Sequence, residues 1–173
     1  EAADEVLVDS AAAVLHRGTP VDQLAMFVGI YRPHTDWIVP QEFVDLYDDT
    51  VIPLPDFVSN EERAEFSRAI SQPFHDTVVE SGAWEDLVRY YLASVSFADA
   101  QLGRLLDALD ASPYASDTVV MVMSDHGYHL GDAEQWHKFT LHEQAARAPL
   151  IVAGPDIAPA VVTAPVNLSS ATA

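Results

Sequence analysis

The chain has 173 residues, 49% of them hydrophobic, which is sufficient for one globular domain with its own core. Its 27 acidic and 8 basic residues give a net charge of −19, and such a surface repels nucleic acids and anionic membranes. Because the sequence contains no cysteine, disulfides, thiolate metal sites and a cysteine nucleophile are excluded for this chain.

The acidic excess has two interpretations. One is a solvated acidic face, and the other is adaptation to high salt, where screening relieves the repulsion between like charges. The sequence favours salt adaptation only slightly. No apolar run is long enough for a membrane span, and residues 1–5 lack the basic and apolar regions of a signal peptide. The sequence therefore predicts neither a membrane span nor a signal peptide in this chain, and it does not indicate the cellular compartment.

The first half of the chain predicts a helix, a strand and a long irregular stretch. Residues 2–16 have apolar positions at helical spacing, and Gly18 with Pro20 ends that element. Leu24–Ile30 is an apolar run of strand length that suits burial on both faces. Residues 31–57 are rich in proline and predict a loop.

The second half predicts two helices and two strands. Residues 59–62 resemble a capping box that opens a short helix towards Ile70. Residues 85–110 carry one continuous apolar stripe, which is typical of a long amphipathic helix. Residues 118–123 and 149–153 are predicted strands. This order predicts an α/β fold with a parallel βαβ arrangement and helices on both faces of the sheet.

Asp125 and His126 follow directly on the predicted strand 118–123. An α/β domain presents metal ligands at the carboxyl edge of its sheet, so this pair is a candidate metal site. The equal alternative is an Asp that caps the next turn beside a hydrogen-bonded His. Since hard cations require six or more ligands, the remaining ones must come from another segment.

Lys138 is the only lysine in the sequence. Residues 140–143 match a capping box, which predicts a helix that starts at about Leu141 and points its free N–H groups towards the ammonium. This arrangement favours contact with sulfate or phosphate over a solvated surface lysine. Trp136 beside it either walls the pocket or lies in the core.

His34 follows the predicted strand 24–30, so a parallel sheet would bring it to the edge that carries Asp125. An imidazole there could protonate a departing alkoxide, although the spacing alone favours an ordinary loop histidine. His129 is a weaker candidate for the substrate pocket.

Five segments resemble, in the same order, segments of the sulfatase family, above all its iduronate-2-sulfatase-like and choline-sulfatase-like branches. The segments are residues 27–34, 91–99, 124–131, 136–138 and 148–152. The similarity covers nearly the whole chain, and the Ser-Asp-His-Gly block at residue 124 with its downstream lysine is specific.

The resemblance implies a sulfuric ester hydrolase that acts on a small-molecule or saccharide sulfate ester. Asp125 and His126 would then bind a divalent metal, normally calcium, with magnesium or manganese as alternatives. Lys138 would bind the sulfate group, and His34 would contact sulfate and assist the leaving oxygen. The implied fold is the alkaline-phosphatase-like sandwich, with a mainly parallel sheet flanked by helices.

The sequence also departs from the family pattern. The family's nucleophile is a formylglycine made in a Cys/Ser-x-Pro-x-Arg motif, and neither this motif nor the early paired aspartates of the metal site is present. We therefore interpret residues 1–173 as one partial catalytic domain that lacks its N-terminal nucleophile segment and its C-terminal part. Such a chain is expected to be inactive alone.

Three alternatives remain open at this point. The first is a phosphonate monoester or phosphodiester hydrolase of the same superfamily, which would share the Asp-His pair. The second is a non-catalytic acidic fragment that binds cations. The third is a truncated product that does not fold stably because its sheet exposes an edge.

Overall fold

A computed structural model describes residues 3–18, 23–55 and 65–170. The elements are, in chain order, α1 (Ala3–Arg17), α2 (Gln41–Asp45), α3 (Glu65–Ser81), α4 (Trp84–Asp110), β1 (Val120–Met123), β2 (His129–Leu130), β3 (Trp136–His137), α5 (Glu143–Ala146) and β4 (Leu150–Ala153). Short 3₁₀ turns occupy Asp132–Glu134 and Leu168–Ser170. No helix within the described ranges combines the length and apolar character needed to cross a bilayer.

The core forms where α1 and α2 pack against α4. Val8 of α1 and Phe97 of α4 are fully buried, and the ring of Phe43 meets that of Phe97 edge-on at 5.3 Å. Burial of such side chains stabilises the fold by about 1.5–3 kcal/mol each. The predicted helices over 2–16 and 85–110 are confirmed by α1 and α4.

A tight corner joins α3 to α4. Gly82 adopts φ 70°, the left-handed conformation that commonly ends a helix, and its N–H donates to the carbonyl of Val79 at 3.1 Å. Trp84 then opens α4, and its indole N–H donates to the carbonyl of Leu130 at 2.7 Å. This corner therefore connects the helical core to the β2–β3 hairpin. The predicted capping box at residues 59–62 lies outside the described residues, and α3 runs further along the chain than predicted.

The predicted strand over Leu24–Ile30 is wrong, because these residues form no strand in the structure. A strand requires a hydrogen-bonded neighbour, and the described part of the chain provides none beside this segment. The segment nevertheless keeps alternating exposure, and Phe27 is 88% exposed. Within the predicted loop 31–57, the structure adds the short helix α2.

The strands predicted over residues 118–123 and 149–153 are confirmed by β1 and β4, but the parallel arrangement is wrong for this pair. The two strands are antiparallel, with Met123 opposite Leu150 and Val120 opposite Ala153. A parallel connection must carry the chain back along the strand, usually through a helix. Residues 124–149 instead contain a two-stranded hairpin and the single turn α5, so the chain re-enters at the end of the ribbon where it left.

One face of the β1–β4 ribbon is apolar and exposed. Met121, Met123 and Val152 lie on this face, since residues opposite each other in an antiparallel pair share a face. Isolated two-stranded ribbons are only marginally stable, and exposed strand edges are templates for further pairing.

We expect the chain to self-associate through this face, more strongly at high salt because screening weakens the repulsion between acidic surfaces. Met121→Lys should weaken the association about tenfold, because a charge replaces a buried apolar contact worth roughly 1.5–3 kcal/mol. Sedimentation velocity over a salt series measures the effect. Ser116→Lys, an exposed control with the same charge change, should not weaken the self-association. If both variants self-associated as strongly as the wild-type chain, the assignment of this face would be contradicted.

Candidate active site

Three side chains from distant segments converge on one point. The ammonium Nζ of Lys138 lies 2.6 Å from Nε2 of His126 and 3.5 Å from Nε2 of His34. The contact with His34 joins residues 104 positions apart in the sequence. The structure therefore brings His34, His126 and Lys138 together.

His126 has the orientation of a metal ligand. Its Nδ1 lies 2.7 Å from the carbonyl oxygen of Gly127, which can only accept, so Nδ1 carries the hydrogen and Nε2 keeps a lone pair. This is the arrangement by which metal-binding histidines are usually fixed. Oδ2 of Asp125 lies 3.6 Å from the same Nε2, and the Asp125 side chain is 84% exposed.

Asp125 and His126 would fit a divalent cation as two of its ligands only if the Lys138 ammonium, which lies 2.6 Å from Nε2 of His126, moved aside, since one carboxylate oxygen and that imidazole lone pair would then face a single ion. Within the described residues, no group of three or more acidic, histidine or cysteine side chains is placed to hold a metal. The pair would therefore supply only two of the six or more ligands that a hard cation needs.

A buried carboxylate that sequence reasoning missed holds the loop of His34. Asp4, at the start of α1, is 4% exposed. Its oxygens accept the backbone N–H groups of Tyr31 at 2.7 Å and Arg32 at 3.2 Å. In the sequence, Asp4 looks like any acidic residue in the first turn of a helix, so no pattern identifies it.

The ring of His34 is oriented by its own loop. Its Nδ1 lies 2.6 Å from the carbonyl of Thr35, so this nitrogen is the donor. The hydroxyl of Tyr31 is 2.8 Å from the same nitrogen. As a result Nε2, the nitrogen able to exchange a proton with a ligand, faces Lys138.

His129 and Trp136, predicted for the substrate pocket, are both buried. Nδ1 of His129 is 2.6 Å from Oδ2 of Asp132, and Nε2 is 2.7 Å from the hydroxyl of Thr140. Both ring nitrogens of the buried His129 are therefore hydrogen-bonded, and they tie together the residues on either side of Lys138. Asp132 and Thr140 are partners that sequence reasoning missed, although the His-x-x-Asp spacing hinted at the first.

The helix predicted from about Leu141 starts later and is much shorter. α5 spans Glu143–Ala146, and the Thr140 hydroxyl accepts the N–H of His142 at 3.3 Å. A single turn has little dipole, so the predicted oxyanion cradle at a helix N-terminus is wrong. The positive charge of the site therefore comes from Lys138 itself.

Gly127 lets the loop that carries Asp125 and His126 approach α5. Its N–H donates to the carbonyl of Ala145 at 2.8 Å, and a Cβ at this position would lie 2.1 Å from the carbonyl oxygen of Gln144. Since backbone cannot move aside as a flexible side chain can, only glycine fits here. This close approach fixes the carbonyl that orients His126.

Comparison with known proteins identifies the family of this chain. The sulfatase family model matches residues 1–172. A sulfatase of Formosa agariphila is 39% identical over 136 residues, which cover 75% of this chain and 27% of that protein. The choline-sulfatase of Rhizobium meliloti is 31% identical, and the match covers 81% of this chain and 28% of that protein. Human iduronate 2-sulfatase is 33% identical, and the match covers 77% of this chain and 27% of that protein. The resemblance predicted from the motifs is confirmed.

Solved structures show the same fold. A phosphonate monoester hydrolase from Silicibacter pomeroyi matches with a TM-score of 0.70 and 25% identity, covering 91% of this chain and 34% of that one. A protein solved with its substrate D-glucosamine-2-N,6-O-disulfate matches with a TM-score of 0.68 and 18% identity, covering 88% and 43%. The chain thus spans less than half of each of these relatives.

We expect Gly127→Ala to lower the free energy of unfolding by about 1–3 kcal/mol, because the added methyl forces the backbone of α5 away. Urea unfolding measures this change. The matched control is Gly103→Ala on α4, where a Cβ meets nothing within 4 Å and the helix gains about 0.5–1 kcal/mol. Equal stability of the two variants would show that the close approach at Gly127 does not constrain the fold.

Proposed function

Because the chain belongs to the sulfatase family, we propose that it supplies the cation-binding and sulfate-binding side of an active site that hydrolyses a sulfate ester. The single observation that carries the proposal is the approach of the only lysine to Nε2 of both His34 and His126. A tetrahedral anion needs positive charge and donors that converge from several sides, and this cluster can provide them.

Asp125 and His126 would hold the divalent metal, which we propose to be calcium, with magnesium or manganese as alternatives. When bound, the metal supplies charge stabilisation for the sulfate oxygens. Support comes from the orientation of His126, whose Nδ1 donates to Gly127 and leaves Nε2 as an acceptor facing Lys138, and from the exposed carboxylate of Asp125 beside it. The other ligands would come from outside this chain.

The residues of this chain would perform two tasks in the reaction. The Lys138 ammonium would neutralise charge on a sulfate oxygen. His34, in its protonated form, would donate from Nε2 to the departing alkoxide while Thr35 holds Nδ1. Such general acid catalysis typically contributes 10²–10⁴-fold to the rate.

The nucleophile, a formylglycine, would lie in a segment outside this chain. Two observations support this division: the Cys/Ser-x-Pro-x-Arg motif is absent from the sequence, and the chain spans about 27–28% of the matched sulfatases. In the parent domain, the exposed ribbon of β1 and β4 would join a larger, mainly parallel sheet of the sandwich type. The chain alone would then be inactive.

The substrate class would be a small-molecule or saccharide sulfate ester. The relatives include a choline-sulfatase and an iduronate 2-sulfatase, and one structural neighbour was solved with a disulfated glucosamine. The second candidate is hydrolysis of phosphonate monoesters, which the likeness to a phosphonate monoester hydrolase favours. Lys138 would serve either tetrahedral anion, so the site chemistry alone does not separate the two reactions.

We expect this chain to bind one calcium ion, and Asp125→Asn to weaken that binding at least about tenfold, because a carboxylate ligand becomes a neutral amide. Isothermal titration measures both affinities. The matched control is Asp117→Asn, an exposed position with the same charge change, which should leave calcium affinity within about twofold. Equal affinities of all three proteins would favour diffuse attraction to an acidic surface and refute the site.

We also expect Lys138→Met to lower the affinity for inorganic sulfate about tenfold, since the variant keeps the side-chain length and loses the charge. Calcium affinity should be retained or increase, because the variant frees Nε2 of His126. In the parent polypeptide, kcat/KM on sulfate esters should exceed that on phosphonate monoesters. The opposite preference would replace the sulfatase proposal with the second candidate.

A further inference from the structure

The residue before Lys138 has an unusual backbone. His137 adopts φ 66°, a left-handed conformation that costs free energy for any side chain with a Cβ. His137 also ends the short strand β3, which pairs with His129 and Leu130 of β2. Because φ of His137 sets the direction in which the chain leaves the hairpin, it also sets where the Lys138 side chain points.

Two aromatic neighbours, Tyr128 and Phe74, contact the side chain of His137. The hydroxyl of Tyr128 lies 2.8 Å from Nδ1 of His137, and the two rings meet nearly perpendicularly, with their centroids 5.8 Å apart. The ring of Phe74 approaches the His137 ring at 5.3 Å. The imidazole is therefore fixed by a directed hydrogen bond as well as by packing.

Tyr128 in turn connects to the loop of His34. Its ring stacks on that of Tyr91 at 5.9 Å and meets that of Trp37 edge-on at 5.8 Å. The indole N–H of Trp37 donates to the carbonyl of Pro33 at 2.9 Å. A continuous chain of contacts thus runs from the residue before Lys138 to the residue before His34.

Both members of the pair are neutral near pH 7. Burial, with a smaller contribution from the Lys138 charge, lowers the pKa of His137 below its usual value. Burial raises the pKa of Tyr128 to about 12. The hydrogen bond between them therefore joins two uncharged groups, and His137 adds no second cation beside the lysine.

We propose that Tyr128 and His137 form a positioning pair that directs the Lys138 ammonium towards His126 and His34. The proposal rests on the proposed function, because it concerns the group that would bind the anion. The pair itself touches no reacting atom. Its role is to hold a strained backbone that would otherwise relax and turn the lysine away.

The test uses the fact that Lys138 is the only lysine, so ¹³Cε-lysine labelling of the full chain gives one side-chain NMR signal. Tyr128→Phe removes the hydroxyl and keeps the ring. We expect its lysine signal to move towards that of a solvent-exposed lysine, and its affinity for inorganic sulfate to fall about tenfold. Tyr90→Phe, an exposed tyrosine on α4, is the control and should change neither quantity.

A second variant tests the backbone strain itself. Asparagine tolerates the left-handed conformation better than histidine, so Tyr128→Phe/His137→Asn should recover part of the sulfate affinity and of the lysine signal. If Tyr128→Phe does not fold, two single variants at residue 137 provide the test. His137→Asn should retain at least half of the wild-type sulfate affinity, whereas His137→Val, with a branched side chain that disfavours the left-handed conformation, should lose that affinity.

A wild-type lysine signal and wild-type sulfate affinity in Tyr128→Phe would overturn the inference, as would a His137→Val variant that matches His137→Asn. The proposed function fails differently. If the wild-type chain binds no sulfate while Tyr128→Phe still moves the lysine signal, the positioning role stands and the anion-binding role is refuted.

Discussion

The arrangement of this site depends on one contact, the approach of the Lys138 ammonium to Nε2 of His126 at 2.6 Å. Each residue sits in a loop of its own, and neither loop would keep its place without support. Gly127 lets the first loop press against α5, and the buried His129 braces the second through Asp132 and Thr140. Both loops contact α4 of the helical core, because the Tyr128 ring stacks on Tyr91 and the Trp84 indole N–H donates to the carbonyl of Leu130.

The site concentrates positive charge within an acidic molecule. Of 8 basic residues, the one lysine lies at the meeting point of two histidines, while 27 acidic residues give the chain its net charge of −19. Exposed acidic groups more than about 10 Å away act weakly on the site at physiological salt because they are screened. Local contacts therefore govern what the lysine binds, and the acidic surface can vary without changing the chemistry.

Local sequence patterns predicted what depends on local structure. The apolar stripe of α4 and the strand before Asp125 are readable because periodicity reflects burial. The pairing of strands is not readable in this way. Leu24–Ile30 has the composition of a strand without a neighbour in the described chain, and the antiparallel β1–β4 pair follows from the path of residues 124–149.

In the candidate site, too, some side chains could be predicted from local sequence and others depend on distant contacts. Asp125, His126 and Lys138 were found because a strand end and a unique lysine mark them. Asp4 was missed because a carboxylate that accepts two amides more than 25 positions away leaves no spacing to recognise. The candidate site residues lie in recognisable motifs, whereas the residues that hold them in place come from distant parts of the sequence that the fold brings near.

The Tyr128–His137 hydrogen bond extends this argument to backbone strain. A left-handed histidine is stable only where its surroundings determine it, and such strain is concentrated at functional sites. Here the strained residue directly precedes the only lysine, and the bond that holds it leads through Trp37 to the loop of His34. The strained residue lies one position before the charged lysine. The aromatic cluster around Tyr128 can therefore set the distance from Lys138 to His126 and His34 without touching the ammonium itself.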